Sequence, residues 1–109
     1  MITLNDVKSA AEKVSSYVHR TPLWKSETLS KRLGTNAYLK MELFQKTGSF
    51  KPRGAFNQIL ARGKEVLDKG AVAISGGNFA QGAAYASLVL GADIIICMAE
   101  DTPKNYVDA

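Results

Sequence analysis

Val7, Ala10, Ala11, Val14 and Val18 recur at helical spacing behind Thr3-Leu-Asn-Asp6. Thr3 reads as the N-cap of that helix and Asp6 as an acidic residue in its first turn. Thr21-Pro22 breaks the chain, and Ser26 to Leu33 predicts a short helix with Gly34 placed as its stop. The period then changes. Ala37, Leu39, Met41 and Leu43 alternate with Tyr38, Lys40 and Glu42, the signature of a strand.

Gln45 to Phe50 reads as a loop, and Pro52 stands where a helix begins. Ala55, Phe56, Ile59 and Leu60 supply the apolar face of this helix, which Gly63 or Gly70 ends. Ala71 to Ser75 predicts a short buried strand. Gly76-Gly77 turns the chain into a helix from about Asn78 to Leu90, closed by Gly91. Asp93 to Met98 predicts another apolar strand, and Thr102-Pro103 a last helix with Thr102 as cap and Pro103 as first residue. Strand, helix and strand within 71–98 form a βαβ unit, which is right-handed and parallel in nearly all cases. Parallel strands need helices on both faces. Two strands and three or so helices cannot close such a sheet, so the expectation is the front portion of a larger α/β protein.

Composition narrows the function classes. The 109 residues are 46% apolar and 22% charged, with nine Gly and three Pro, which suits a folded globular chain and excludes disorder or a collagen-like repeat. One cysteine excludes a disulfide framework and a cysteine-based zinc module. The longest apolar stretch, Ala83 to Ala99, is interrupted by Tyr85, Ser87 and Asp93 and is too short to span a bilayer. No basic leader precedes an apolar run at Met1, so the expected compartment is the cytoplasm. Residues 1–54 hold ten Lys/Arg against four Asp/Glu, and residues 55–109 four against six. The basic residues are scattered singly without a stripe, which argues against nucleic acid and suits an anionic small molecule better.

Two segments carry candidate chemistry. Ser75-Gly-Gly-Asn78 lies between a predicted strand and helix. Glycines there let backbone N–H groups converge, and the helix start adds partial positive charge, making a cradle for a carboxylate or phosphate. The spacing fits neither the dinucleotide fingerprint nor a P-loop, and a tight turn without a ligand is the plain alternative. Lys51 precedes Pro52, which biases it away from helical geometry and puts it at or near the N-cap. A cation facing the positive helix end, beside Arg53 and behind Phe50, is disfavoured relative to its neutral amine, the state a carbonyl nucleophile needs. A solvated loop lysine is the alternative. His19, the only histidine, reads as a structural or surface residue, and Cys97 as a buried core thiol. No metal site can be argued.

Thr47-Gly-Ser-Phe-Lys-Pro-Arg-Gly-Ala-Phe-Asn57 resembles the pyridoxal-phosphate lysine motif of the serine/threonine dehydratase family. Ser75-Gly-Gly-Asn-Phe-Ala-Gln-Gly82 resembles that family's Ser-x-Gly-Asn-His-Ala-Gln-Gly segment. Arg20-Thr-Pro-Leu23, Leu39-Lys-Met-Glu42 with Gln45, and Ala99-Glu-Asp-Thr-Pro103 lie in the family order. The resemblance implies a three-layer parallel-sheet α/β architecture, that of the fold type II (tryptophan synthase β-like) enzymes, truncated in this chain. Residues 1–64 would open the large cofactor-binding domain and 65–109 the small one, both incomplete. It also implies the cofactor pyridoxal 5'-phosphate and elimination of water from L-threonine or L-serine, giving a 2-oxo acid and ammonia. Lys51 would hold the cofactor as an internal imine (a Schiff base) and take the Cα proton. Phe50 would pack beside the ring, and Asn78 would bond its 3' oxygen. Ser75, Gly76, Gly77, Asn78 and Phe79 would line the substrate-carboxylate site. A homodimer or higher homo-oligomer is implied for the complete enzyme, with no nucleic-acid or membrane partner.

Two departures from the family pattern bear on substrate and reaction. Phe79 stands where the family has His, removing a polar group beside the carboxylate site. Gly76 stands where serine-racemising members have a second Ser, which disfavours racemisation. The family's glycine-rich phosphate loop and pyridine-nitrogen partner come later than Ala109, so the 109 residues alone are expected to be inactive. The rival readings are a racemase or β-replacement enzyme on the same scaffold, a truncated non-catalytic interaction or folding module, and a ligand-binding module without covalent chemistry.

Overall fold

The computed structural model describes residues 1–109. Helix α1 spans Leu4–Val14, and Thr3 and Asp6 close a reciprocal capping box at its start. Strand β1, Leu23–Lys25, pairs antiparallel with β2, Tyr38–Lys40, around helix α2, Glu27–Leu33. Ser26 caps α2, and Gly34 ends it at φ 65° in the left-handed region, as its position predicts. Helix α3, Lys51–Arg62, runs into α4, Lys64–Lys69, across Gly63. Strand β3, Ala71–Ile74, helix α5, Asn78–Leu90, and strand β4, Ile94–Cys97, form the expected βαβ unit with β3 and β4 parallel. A one-turn helix α6, Lys104–Val107, follows.

The core lies where α1, α3 and α5 meet. Phe56 is fully buried, stacked on Tyr17 with ring centroids 4.9 Å apart and edge-on to Tyr85 at 5.9 Å. The face α5 turns inward consists of Ala80, Gly82, Ala83, Ala86 and Ser87, all small, so its backbone lies close against α3. The cluster around Phe56 draws on Val14, Ala55 and Ile59 from the first part of the chain and on Val66, Ala86 and Ala92 from the second. No helix is long and apolar enough to cross a membrane.

Three expectations are corrected and one element, β1, is added. The predicted strand over 37–43 stops at Lys40, because Glu42–Phe44 coil into a 3-10 turn that carries Glu42 to a cation on α3. Strand β1 carries no readable period in only three residues, and pairing with β2 alone makes it a strand. Cys97 is exposed, since β3 and β4 have one covered face and one bare one. Val72, Ile74, Ile95 and Cys97 alternate onto the bare face. Thr102 caps nothing: Pro103 takes the cap position of α6, and the Thr102 side chain turns toward Gly76.

Candidate active site

Lys51 stands at the first position of α3. Phe50 takes the cap place at φ −71°, ψ −10°, and the Lys51 amide donates to Ser49 Oγ at 3.4 Å. The helix thus begins one residue earlier than Pro52 alone suggests. Pro52 is tolerated there because N–H groups of the first turn have no helical acceptor. The Lys51 ammonium lies 4.9 Å from the Phe50 ring centroid, over its face. The preceding loop bends through Thr47 at φ 60°, an uncommon and strained conformation for a β-branched residue. The Thr47 hydroxyl is buried without a partner.

Arg53, expected as a second cation beside Lys51, is committed elsewhere. Its guanidinium binds Glu42 through Nε at 2.9 Å and a terminal nitrogen at 2.8 Å, and that nitrogen also donates to the His19 carbonyl at 3.1 Å. Thr21 Oγ1 donates to the same carboxylate, and Gln45 brackets the His19 backbone with two 2.8 Å bonds. The Arg53 hydrogen bonds hold the Glu42 carboxyl down at about 2, outweighing the opposing effect of burial. This clamp fastens the first turn of α3, and with it Lys51, to the 19–21 and 42–45 segments. No spacing rule pairs Glu42 with a residue eleven positions on. His19 serves through its backbone and an Nδ1 contact 3.1 Å from the Phe44 carbonyl, in keeping with a structural histidine.

The turn Ser75-Gly-Gly-Asn78 opens α5. The Ser75 amide belongs to the ladder, bonded to Cys97 O at 3.0 Å, and the Gly77 amide donates to Ser75 Oγ at 3.3 Å. The Asn78 and Phe79 amides sit at the helix start, where no intrahelical acceptor exists. Gly82 brings this turn to the lysine. A Cβ there would lie 3.0 Å from Pro52 N and 3.1 Å from Lys51 C and Cβ, so only glycine lets α5 rest on the base of Lys51. Asn78 is one turn before Gly82 and shares its helix face. The packing therefore sets the base of Lys51 against the helix whose first turn carries Asn78.

The Phe79 side chain lines an apolar cleft of about 430 Å³ with Ala55, Ile59, Val66 and Ala83, leaving its backbone amide at the helix start. Lys51, Ser75 and Asn78 lie outside this cleft, so it is not where the candidate residues stand. A primary amine over an aromatic face and an exposed amide side chain suit an aromatic aldehyde, and the glycine turn at the start of α5 suits an anion such as a carboxylate. The amine would bond the aldehyde carbon, Phe50 would cover a ring, and Asn78 would offer a donor to a ring oxygen.

An α/β chain with this lysine and this turn defines a class, and the comparisons with known proteins agree. A family model described as pyridoxal-phosphate dependent enzyme matches residues 14–109. The L-threonine ammonia-lyase of Thermotoga maritima is 48% identical over 98% of this chain and 27% of its own length. The serine racemase of Dictyostelium discoideum is 40% identical over 99% of this chain and 33% of its own length. A crystal structure of serine racemase from Dictyostelium discoideum superposes with a TM-score of 0.90 at 39% identity, covering 98% of this chain and 35% of that one. The chain belongs to the pyridoxal-phosphate dependent enzyme family and has its fold type II architecture. It spans no more than 35% of the length of these relatives.

Proposed function

We propose that the enzyme of which these residues form the N-terminal portion removes water from L-threonine or L-serine, yielding a 2-oxo acid and ammonia. The observation that carries this reading is the contact at Gly82, which seats Lys51 against the helix that presents Ser75 to Asn78. Lys51 is the covalent attachment residue. Phe50 packs on the cofactor ring, and Asn78 donates to its ring oxygen. Pyridoxal phosphate, when bound, supplies the electron sink that acidifies the substrate Cα–H. Lys51 Nζ takes that proton once substrate has displaced it. The turn amides hold the substrate carboxylate, fixing which Cα bond faces Lys51. The β-hydroxyl leaves as water after gaining a proton, and the resulting enamine tautomerises to an imine that a water molecule hydrolyses to the 2-oxo acid and ammonia.

Several relatives are lyases, but others are racemases, so product decides between them. Gly76 carries no side chain to act on the face opposite Lys51, which favours elimination. The division into a large-domain segment (1–64) and a small-domain segment (65–109), a cytoplasmic homodimer, and inactivity of the 109 residues alone belong to the same proposal. The test is intact mass after borohydride treatment of the full-length protein with pyridoxal phosphate, beside Lys51→Ala. One adduct mapping to Lys51 and lost in the variant, with 2-oxo acid from serine or threonine, is the expected result. D-serine as main product would replace elimination by racemisation. Absence of a specific adduct on a folded protein overturns the enzyme reading and favours a non-catalytic module.

A further inference from the structure

Thr102 is read in sequence as a helix cap, yet its side chain caps nothing. It reaches back to the glycine turn. A Cβ built on Gly76 would lie 2.8 Å from Thr102 Oγ1, 3.3 Å from Cγ2 and 3.7 Å from Cβ. The φ of Gly76 is not in the left-handed region, so its backbone does not itself demand glycine. What excludes a side chain at position 76 is the Thr102 hydroxyl itself. That hydroxyl has no hydrogen-bond partner within the chain; only the Thr102 amide is used, donating to Ala99 O at 3.0 Å.

The turn is short of donors where Thr102 stands. Two of its four amides are spent: Ser75 N on the strand ladder and Gly77 N on Ser75 Oγ. A carboxylate offers about four lone-pair directions and is held best when several are met. We propose that Thr102 is a substrate-positioning residue, its hydroxyl filling the space left by Gly76 and donating to the carboxylate that the Ser75–Asn78 turn holds. The assignment rests on the function proposed above and adds a residue from outside the turn. It gives Gly76 a second purpose: the missing side chain there is the condition for a hydroxyl arriving from the loop after β4. Positions 76 and 102 are therefore reciprocal, one small and the other hydroxylated.

The experiment uses the full-length enzyme with pyridoxal phosphate bound. Thr102→Val keeps the shape and removes the hydroxyl. Loss of one hydrogen bond to a charged group is expected to raise KM for both serine and threonine about tenfold with kcat retained, because the carboxylate is held equally before and during the reaction. Binding of L-alanine, which has no β-leaving group, should weaken by the same factor in calorimetry. Thr102→Ser should restore wild-type affinity. Gly76→Ala should lower the melting temperature beside Thr102, and Thr102→Ala should relieve that loss, since the remaining Cβ is 3.7 Å away. A Thr102→Val enzyme with wild-type KM and wild-type L-alanine affinity overturns the assignment while leaving the proposed reaction standing. A wild-type protein that neither labels at Lys51 nor binds L-alanine overturns both.

Discussion

At the scale of single residues, the decisive feature is a carboxylate held by a cation eleven positions away. Glu42 is held down at about 2 by the Arg53 guanidinium, with Thr21 as a further donor. Its folded-state value lies below its ordinary one of 4.5, so the pair stabilises the fold fully above about pH 4.5. That contribution is lost as pH falls from there toward 2, because the unfolded chain binds the proton first. After allowance for the partial exposure of Arg53, the pair is worth about 2 kcal/mol. Glu42→Gln should therefore lower the urea midpoint at pH 6 and flatten its fall between pH 5 and pH 3. An unchanged acid limb would show that the clamp does not hold the first turn of α3. Lys51, by contrast, owes its place to neighbours. Its own sequence position specifies only the start of a helix, and Gly82 supplies the rest.

At the scale of elements, local chemistry and packing separate cleanly. Thr3 and Asp6, Ser26 with Gly34, and Gly91 at φ 68° behave as their spacing predicts, because caps are settled within four or five residues. Thr3→Ala should cost about 1 kcal/mol in a thermal melt and leave the Lys51 adduct intact. Gly82→Ala adds a single methyl but meets the backbone at Pro52, so α5 must shift away from α3. Its expected cost is about 1–3 kcal/mol, and borohydride labelling of Lys51 should slow with it. If the two variants lose stability equally and label alike, the α3–α5 contact does not organise the site. The elements misread in sequence share a cause. Residues 41–43 leave the strand for Arg53, β1 exists only through β2, and Thr102 gives up its cap for Gly76. Each depends on a partner distant in sequence.

At the scale of the whole molecule, the chain buries too little to be self-sufficient on every side. Only 15 of 109 residues are buried, and Val72, Ile74 and Ile95 are 69%, 82% and 66% exposed on one face of the parallel pair. Parallel strands are ordinarily covered on both faces, and bare apolar edges invite association. The 109-residue chain by itself should bind a hydrophobic dye and self-associate in sedimentation, and Ile74→Thr with Ile95→Thr should reduce both. In the full-length enzyme the same pair should destabilise. A monodisperse, dye-silent short chain would show that this face is content in water.

The boundary between what the sequence determined and what the tertiary structure decided follows from the range of the forces involved. Periodicity, caps and the glycine turn are local. They specified the βαβ unit, the helix carrying Lys51 and the glycine turn, and the motif resemblance pointed to the family to which the chain belongs. The meeting of those parts was left to packing. Small residues along α5 let it rest on the base of Lys51, Glu42 found Arg53, and Thr102 closed on Gly76. Those contacts join residues that no spacing rule relates, because close approach in three dimensions depends on the shapes of both surfaces at once.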